Sequence, residues 1–192
     1  MKTKNIIHQS FDEHYQIIDK VRKMPVEPIE KIGKVLAGTL KNEGTIFWCG
    51  NGGSASDSQH LAAELVGRFK NNRKALRSIA LTTDTSVLTC IANDYCYDDI
   101  FSRQVEALAR KGDVLIGIST SGNSENVLRA FKAAQEMGLK TVALLGKDGG
   151  EINNLADNAL VIPSNSTARI QEMHILIGHI LCEIIEQELG LE

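Results

Sequence analysis

His60 and Glu64 stand four residues apart in a stretch of helical character, which puts an imidazole and a carboxylate on one helix face about one turn apart. Such a pair can share a proton or hold a metal ion. Its plainer reading is a solvated pair on a helix surface. A second group, Gln171, Glu172, His174 and His179, lies in an apolar run of Ile170, Met173, Ile175, Ile177, Ile180 and Leu181. Polar groups in such company need partners. By residue type alone His174 reads as a satisfied core histidine, and so does His179.

Two loops give these residues a context. Cys49-Gly50-Asn51-Gly52-Gly53-Ser54-Ala55-Ser56 follows an apolar run and leads directly into the helix carrying His60, so its inner face lies near whatever the loop binds. Glycines there let the backbone approach a ligand closely, and the helix N-terminus favours an anion. The same glycines could serve only to make the turn. Ser119-Thr120-Ser121-Gly122-Asn123-Ser124 also follows an apolar run and opens a helix. A helix needs one cap, which Ser121 or Asn123 could supply. The remaining hydroxyls read as donors to phosphate oxygens. Neither loop has the lysine of a nucleoside-triphosphate loop or the spacing of a dinucleotide fingerprint, so a phosphorylated metabolite is expected, with no nucleotide cofactor.

The elements that position these loops are short apolar runs at 45–49, 78–81, 114–118, 141–145 and 159–162, separated by helical segments. This alternation predicts an α/β fold, a three-layer αβα sandwich with a five-stranded, mainly parallel sheet. Loops beyond the carboxyl ends of such strands are where ligands bind. The last helix is expected over about 168–188. Ile7, Phe11, His14, Ile18 and Val21 form a stripe on an N-terminal helix that must be covered, by the chain's own core or by a subunit interface. Pro25 and Pro28 precede a second helix ending near Gly44.

The length of 192 residues suits one domain over 1–192, with a helical extension over about 1–30. A net charge of −3 offers nucleic acid no general attraction. The polar start at 1–5 has neither the apolar core of a signal peptide nor the length of a membrane span, so a cytoplasmic location is expected. Cys49, Cys90, Cys96 and Cys182 lack zinc-knuckle spacing and read as buried small apolar residues.

Taken together, Cys49 to Ser54, His60-Leu-Ala-Ala-Glu64-Leu, Asn93-Asp94, Gly117 to Ser124 and Arg169-Ile-Gln-Glu-Met-His-Ile-Leu-Ile-Gly-His179 resemble the bacterial phosphoheptose isomerases, of the sugar isomerase (SIS) fold, from about residue 30 to the C-terminus. The resemblance implies a homotetramer that interconverts sedoheptulose 7-phosphate and D-glycero-D-manno-heptose 7-phosphate for heptose and surface-polysaccharide (lipopolysaccharide) biosynthesis. It implies substrate contacts from Asn51, Gly52, Gly53, Ser54, Glu64, Asn93, Asp94, Ser119, Thr120, Ser121, Ser124 and Gln171. It implies Glu64 and His179 as the acid–base pair, and zinc, one per subunit, on His60, Glu64, Gln171 and His179. That chemistry suits an enediol route, with Glu64 as base and His179 as acid. Gln171 and His179, however, are eight residues apart, roughly 12 Å along a helix. One ion cannot readily take both from one copy, so a site shared between subunits is expected, or a set in which one residue only supports the ligands.

Two rival readings use the same fold. A non-enzymatic relative binds the replication initiator DnaA, and Ala168 stands here, as in that relative, where many phosphoheptose isomerases have an acidic residue. Glu64 and His179 favour the enzyme. A sugar-phosphate-sensing module would keep the serine loops and lose that pair.

Overall fold

The computed structural model describes residues 2–191. Five strands, β1 (Ile46–Gly50), β2 (Ser78–Ala80), β3 (Val114–Ser119), β4 (Lys140–Gly146) and β5 (Asn158–Ile162), form one sheet in the order β2-β1-β3-β4-β5. Every pairing is parallel. The helices are α1 (Lys2–Arg22), α2 (Glu27–Lys41), α3 (Gly53–Val66), α4 (Thr85–Asp94), α5 (Ser102–Leu108), α6 (Glu125–Glu136), α7 (Gly150–Leu155) and α8 (Thr167–Glu188), with a 3-10 turn at Tyr97–Asp99. The five predicted strands are all present and shifted by a residue or two at most, which is the uncertainty of any strand end.

Both faces of the sheet are covered, which is why β1 and β3 are buried along their whole length and apolar without alternation. The alternation appears in where successive side chains go. Ile46 and Trp48 join a core with α2, α3 and α8, whereas Phe47 and Cys49 join a second core with α4, α5, α6 and α7. Period-two pointing of a strand thus divides one apolar run between two layers. The indole N–H of Trp48 donates to Ser78 Oγ at 2.8 Å, tying β1 to β2 inside the first core.

The helix α1 packs on α8 through its second half. Ile17 is buried, and Ile18 and Val21 are half-buried against the first core. His14 Nδ1 lies 2.7 Å from Glu172 Oε2, and Arg169 donates to the Ser10 carbonyl. The predicted stripe is therefore covered only in part. Ile7 is half exposed, and Phe11 and Tyr15 are 70% and 72% exposed, because α1 extends past the end of the surface it packs against. The cysteine reading also needs correction. Cys49 and Cys182 are buried, and burial pushes both thiols up. Cys90 is exposed on α4 and donates to Asp94, and Cys96 is half-buried and donates to Asp99. A helix with only one buried residue, Ile91, has room for cysteine on its outer face.

Candidate active site

In the sheet, β1 is the strand from which the chain goes first to β2 on one side and then to β3 on the other. Open parallel sheets bind ligands at such a switch point, beyond the carboxyl ends of the strands. The register pairs Cys49 with Gly117 and Gly50 with Ile118, so the two candidate loops leave the sheet side by side. Between them lies a cavity of about 270 Å³ lined by Asn51, Gly52, Gly53, Ser54, Ser119, Thr120, Ser124, Thr167 and Gln171, with Ile118 at its base.

Three helices begin at this cavity. Their N-caps are Gly52 for α3, Ser124 for α6 and Ser166 for α8, and none makes a side-chain cap hydrogen bond. Uncapped helix N-termini present N–H donors and the positive ends of their dipoles, and three of them at one cavity make a cradle for a phosphate-sized anion. The serines are organised ahead of any ligand. Ser119 Oγ lies 2.9 Å from Ser124 Oγ and accepts from the Gly122 N–H. Ser121 accepts from the Asn123 N–H and does not line the cavity; the cap predicted at Ser121 or Asn123 falls at Ser124. Gly122, at φ +69°, could not carry a side chain, because a Cβ there would stand 1.9 Å from the Gly149 carbonyl oxygen.

Two residues absent from the sequence reading hold this wall. Asn126, buried at the start of α6, exchanges a pair of amide hydrogen bonds with Asn51 at 2.8 and 2.9 Å. Tyr97 donates its hydroxyl to Asn51 Oδ1 at 3.0 Å. Asn126 was detectable only as a polar residue at a core-facing helix position. Asn93 and Asp94 do not line the cavity; they lie exposed at the end of α4, where Asn93 donates to Asp94. Ala168 is exposed.

The other end of α3 carries the second half of the site. His60 Nε2 is 3.0 Å from Glu64 Oε1, and His179 Nε2, from α8, is 3.4 Å from His60 Nε2. All three donor atoms lie within 4.8 Å of one another in a single chain. The His179 ring stacks on Phe69, with centroids 5.3 Å apart and planes 19° apart. Two imidazoles on one tetrahedral ion at about 2.0–2.1 Å would hold their nitrogens at this kind of separation, and two nitrogens with one carboxylate suit zinc. The donor set therefore fits such an ion. Gln171 stands elsewhere. Its amide packs against Gly53, where a Cβ would come 2.4 Å from Nε2, and Gly53 is about 10 Å along α3 from His60. One turn before His60, burial raises the Asp57 carboxyl above its usual range despite the attraction of His60.

A second, larger cavity lies elsewhere. It measures about 740 Å³ and lies at the amino ends of β3 and β4, lined among others by Lys31, Lys34, Asp113 and Lys140. The one helix N-terminus at it, that of α2, carries Glu27 and Glu30, which oppose an anion, and none of the candidate histidines lines it, so the smaller cavity at the carboxyl ends of the strands is the better candidate.

A candidate anion cradle at the switch point of a doubly covered parallel sheet, with a His–Glu–His cluster two to three turns along α3, suits an α/β protein that binds a phosphorylated ligand. The family model described as SIS domain matches residues 9–146, and the chain belongs to the SIS-domain family. Within it, the chain groups with the phosphoheptose isomerases. The phosphoheptose isomerase of Aliarcobacter butzleri is 59% identical over 187 residues, covering 97% of this chain and 99% of that protein. The structure of phosphoheptose isomerase GmhA from Neisseria gonorrhoeae superposes with a TM-score of 0.91 at 46% identity, over 96% of this chain and 98% of that one. A phosphoheptose isomerase structure from Francisella tularensis gives 0.94 at 37% identity, over 97% and 100%.

Proposed function

We infer that the chain is an aldose–ketose isomerase that converts sedoheptulose 7-phosphate to D-glycero-D-manno-heptose 7-phosphate. The observation that carries this is one helix, α3, with an uncapped N-terminus in the anion cradle and His60 and Glu64 two to three turns further on, beside His179. The phosphoryl group sits among the N–H groups and hydroxyls of the cradle, with Asn51, Gly52, Gly53, Ser54, Ser119, Thr120, Ser124 and Gln171 around it. That fixes the sugar so that C1 and C2 reach the cluster. Glu64 takes a proton from C1 while His179 protonates the C2 carbonyl oxygen, giving the enediol. Glu64 then returns its proton to C2 as His179 removes the proton from O1, and the aldehyde forms. Where zinc is bound, His60, Glu64 and His179 would hold it, and it would supply polarisation of the carbonyl and stabilisation of the enediolate in place of a proton from the ligating nitrogen.

We place the working form in a cytoplasmic homotetramer whose neighbouring copies complete each site, with its product passing to heptose and lipopolysaccharide synthesis. The exposed Ile7, Phe11 and Tyr15 on α1 support an assembly, since an apolar stripe of this kind is covered when copies pack together. Gln171, placed at the cradle, could join the ion only from another copy. Asn93 and Asp94 would likewise meet substrate from outside the described cavity. No helix among the described residues is long and apolar enough to cross a membrane.

Turnover of sedoheptulose 7-phosphate decides the matter. Wild type is expected to form the aldose. Glu64→Gln should abolish conversion and leave folding and phosphate binding intact, and zinc binding at one ion per subunit should disappear in His60→Ala. An inert wild type that captures DnaA would establish the binding reading in its place, and an active isolated monomer would refute the shared site.

A further inference from the structure

The segment after α3 is clasped by a buried ion pair that the chemistry above does not use. Arg73 Nε donates to Glu186 Oε1 at 2.6 Å, and the two side chains are 1% and 3% exposed. The other guanidinium nitrogens donate to the carbonyls of Glu64 at 2.8 Å, Leu65 at 2.9 Å and Lys74 at 3.1 Å. Glu186 accepts in addition the backbone N–H groups of Phe69 and Lys70, at 3.3 and 3.4 Å. Burial would raise the Glu186 carboxyl, but Arg73 and these two N–H groups outweigh it and hold the carboxyl below its usual range.

A buried pair of this kind adds little net stability, because removing two charges from water costs about as much as their attraction returns. An apolar pair of similar volume often does as well or better. What the ion pair does supply is direction. Arg73 caps the carbonyls at the C-terminus of α3, where a cation also suits the helix dipole. Glu186 lies seven residues after His179, about two turns along the same side of α8. Its bond to the Phe69 N–H fixes the residue whose ring stacks on His179.

We propose that Arg73 and Glu186 are positioning residues: together they set the distance between α3 and α8 at the His60–Glu64–His179 cluster and hold Phe69 against His179. Neither touches the substrate. The proposal rests on the isomerase reading. Because Gly53 lies eleven residues before Glu64, about 16 Å along α3, loss of the clasp should disturb the cluster and spare the cradle.

The test compares wild type with Arg73→Lys and with the double variant Arg73→Met/Glu186→Met, which leaves no unpaired buried charge. Each is assayed for kcat and KM on sedoheptulose 7-phosphate, for affinity for inorganic phosphate, and for cooperative urea unfolding. The double variant should fold and lose about ten- to a hundredfold in kcat, since small misplacements of reacting groups cost that much. Its KM and phosphate affinity should stay within about twofold of wild type. Arg73→Lys keeps the charge without the planar fork and should fall between. A folded double variant with unchanged kcat overturns the proposal. So does one that fails to fold, since the pair would then be a stability element, or one that loses phosphate binding in parallel with kcat. If wild type itself is inert, the isomerase reading fails separately. The clasp is then judged by zinc affinity at the cluster, which should weaken by about tenfold or more in the double variant; unchanged affinity would overturn it.

Discussion

His174 makes stability depend on pH in a way that can be worked out from its surroundings. It is fully buried in α8, with its Nε2–H donating to the Leu145 carbonyl at 2.9 Å and with Nδ1 buried and unpartnered among the described residues. Protonating Nδ1 would place a charge in the core with no acceptor. Burial lowers the pKa from 6.5 to about 4 and outweighs the Leu145 bond, which raises it. The unfolded chain therefore takes up this proton below about pH 6.5, whereas the folded chain does so only near pH 4. The contribution of neutral His174 is fully present above pH 6.5 and is lost as pH falls from there towards 4. At about 1.4 kcal/mol per tenfold change, the loss reaches roughly 3 kcal/mol. The assay is urea unfolding followed by the fluorescence of Trp48, the only tryptophan, at fixed protein concentration and at a series of pH values. His174→Leu removes the titration. The difference in unfolding free energy between wild type and this variant should move by roughly 3 kcal/mol in the variant's favour between pH 7 and pH 4. Carboxylates that titrate in the same range cancel in that difference. A difference that stays constant across the range would show that His174 is not held neutral by the core, and the reasoning would fail.

Other substitutions test the packing around the site. Gly178→Ala would put a Cβ 2.5 Å from both Leu61 methyl groups, where α8 crosses α3; we expect about 1–3 kcal/mol of destabilisation in thermal unfolding. Because His179 is the next residue, kcat should fall further than the change in Tm alone implies, and unchanged kcat would argue against the cluster. Gly122→Ala meets both the +69° backbone and the Gly149 carbonyl, so unfolding and phosphate titration should show loss of stability together with loss of phosphate binding. Gly53→Ala meets first the end of the flexible Gln171 side chain. It should keep its Tm while KM rises, and an unchanged KM would remove Gln171 from the substrate site.

Local chemistry made much of this protein legible from its amino-acid order. The central strands stand out because a parallel strand buried on both faces must be apolar throughout, and the two candidate loops stand out because glycine and hydroxyl residues accumulate where strands pass into helices. His174 was readable as a core residue because its neighbours along α8 are apolar. Tertiary structure alone decided which polar residues meet. His179 and His60 are 119 positions apart, and they come together because α8 lies against α3 at Gly178 and Leu61, a contact with no periodic signature. The same packing sends Gln171 to Gly53 and away from the histidines, which the helical rise could only show to be 12 Å from His179. The exposure of Cys90, the half-burial of Cys96, the bare end of α1 and the Asn126–Asn51 pair belong to the same class. Each depends on what stands across from a side chain, and a linear pattern records only what stands beside it.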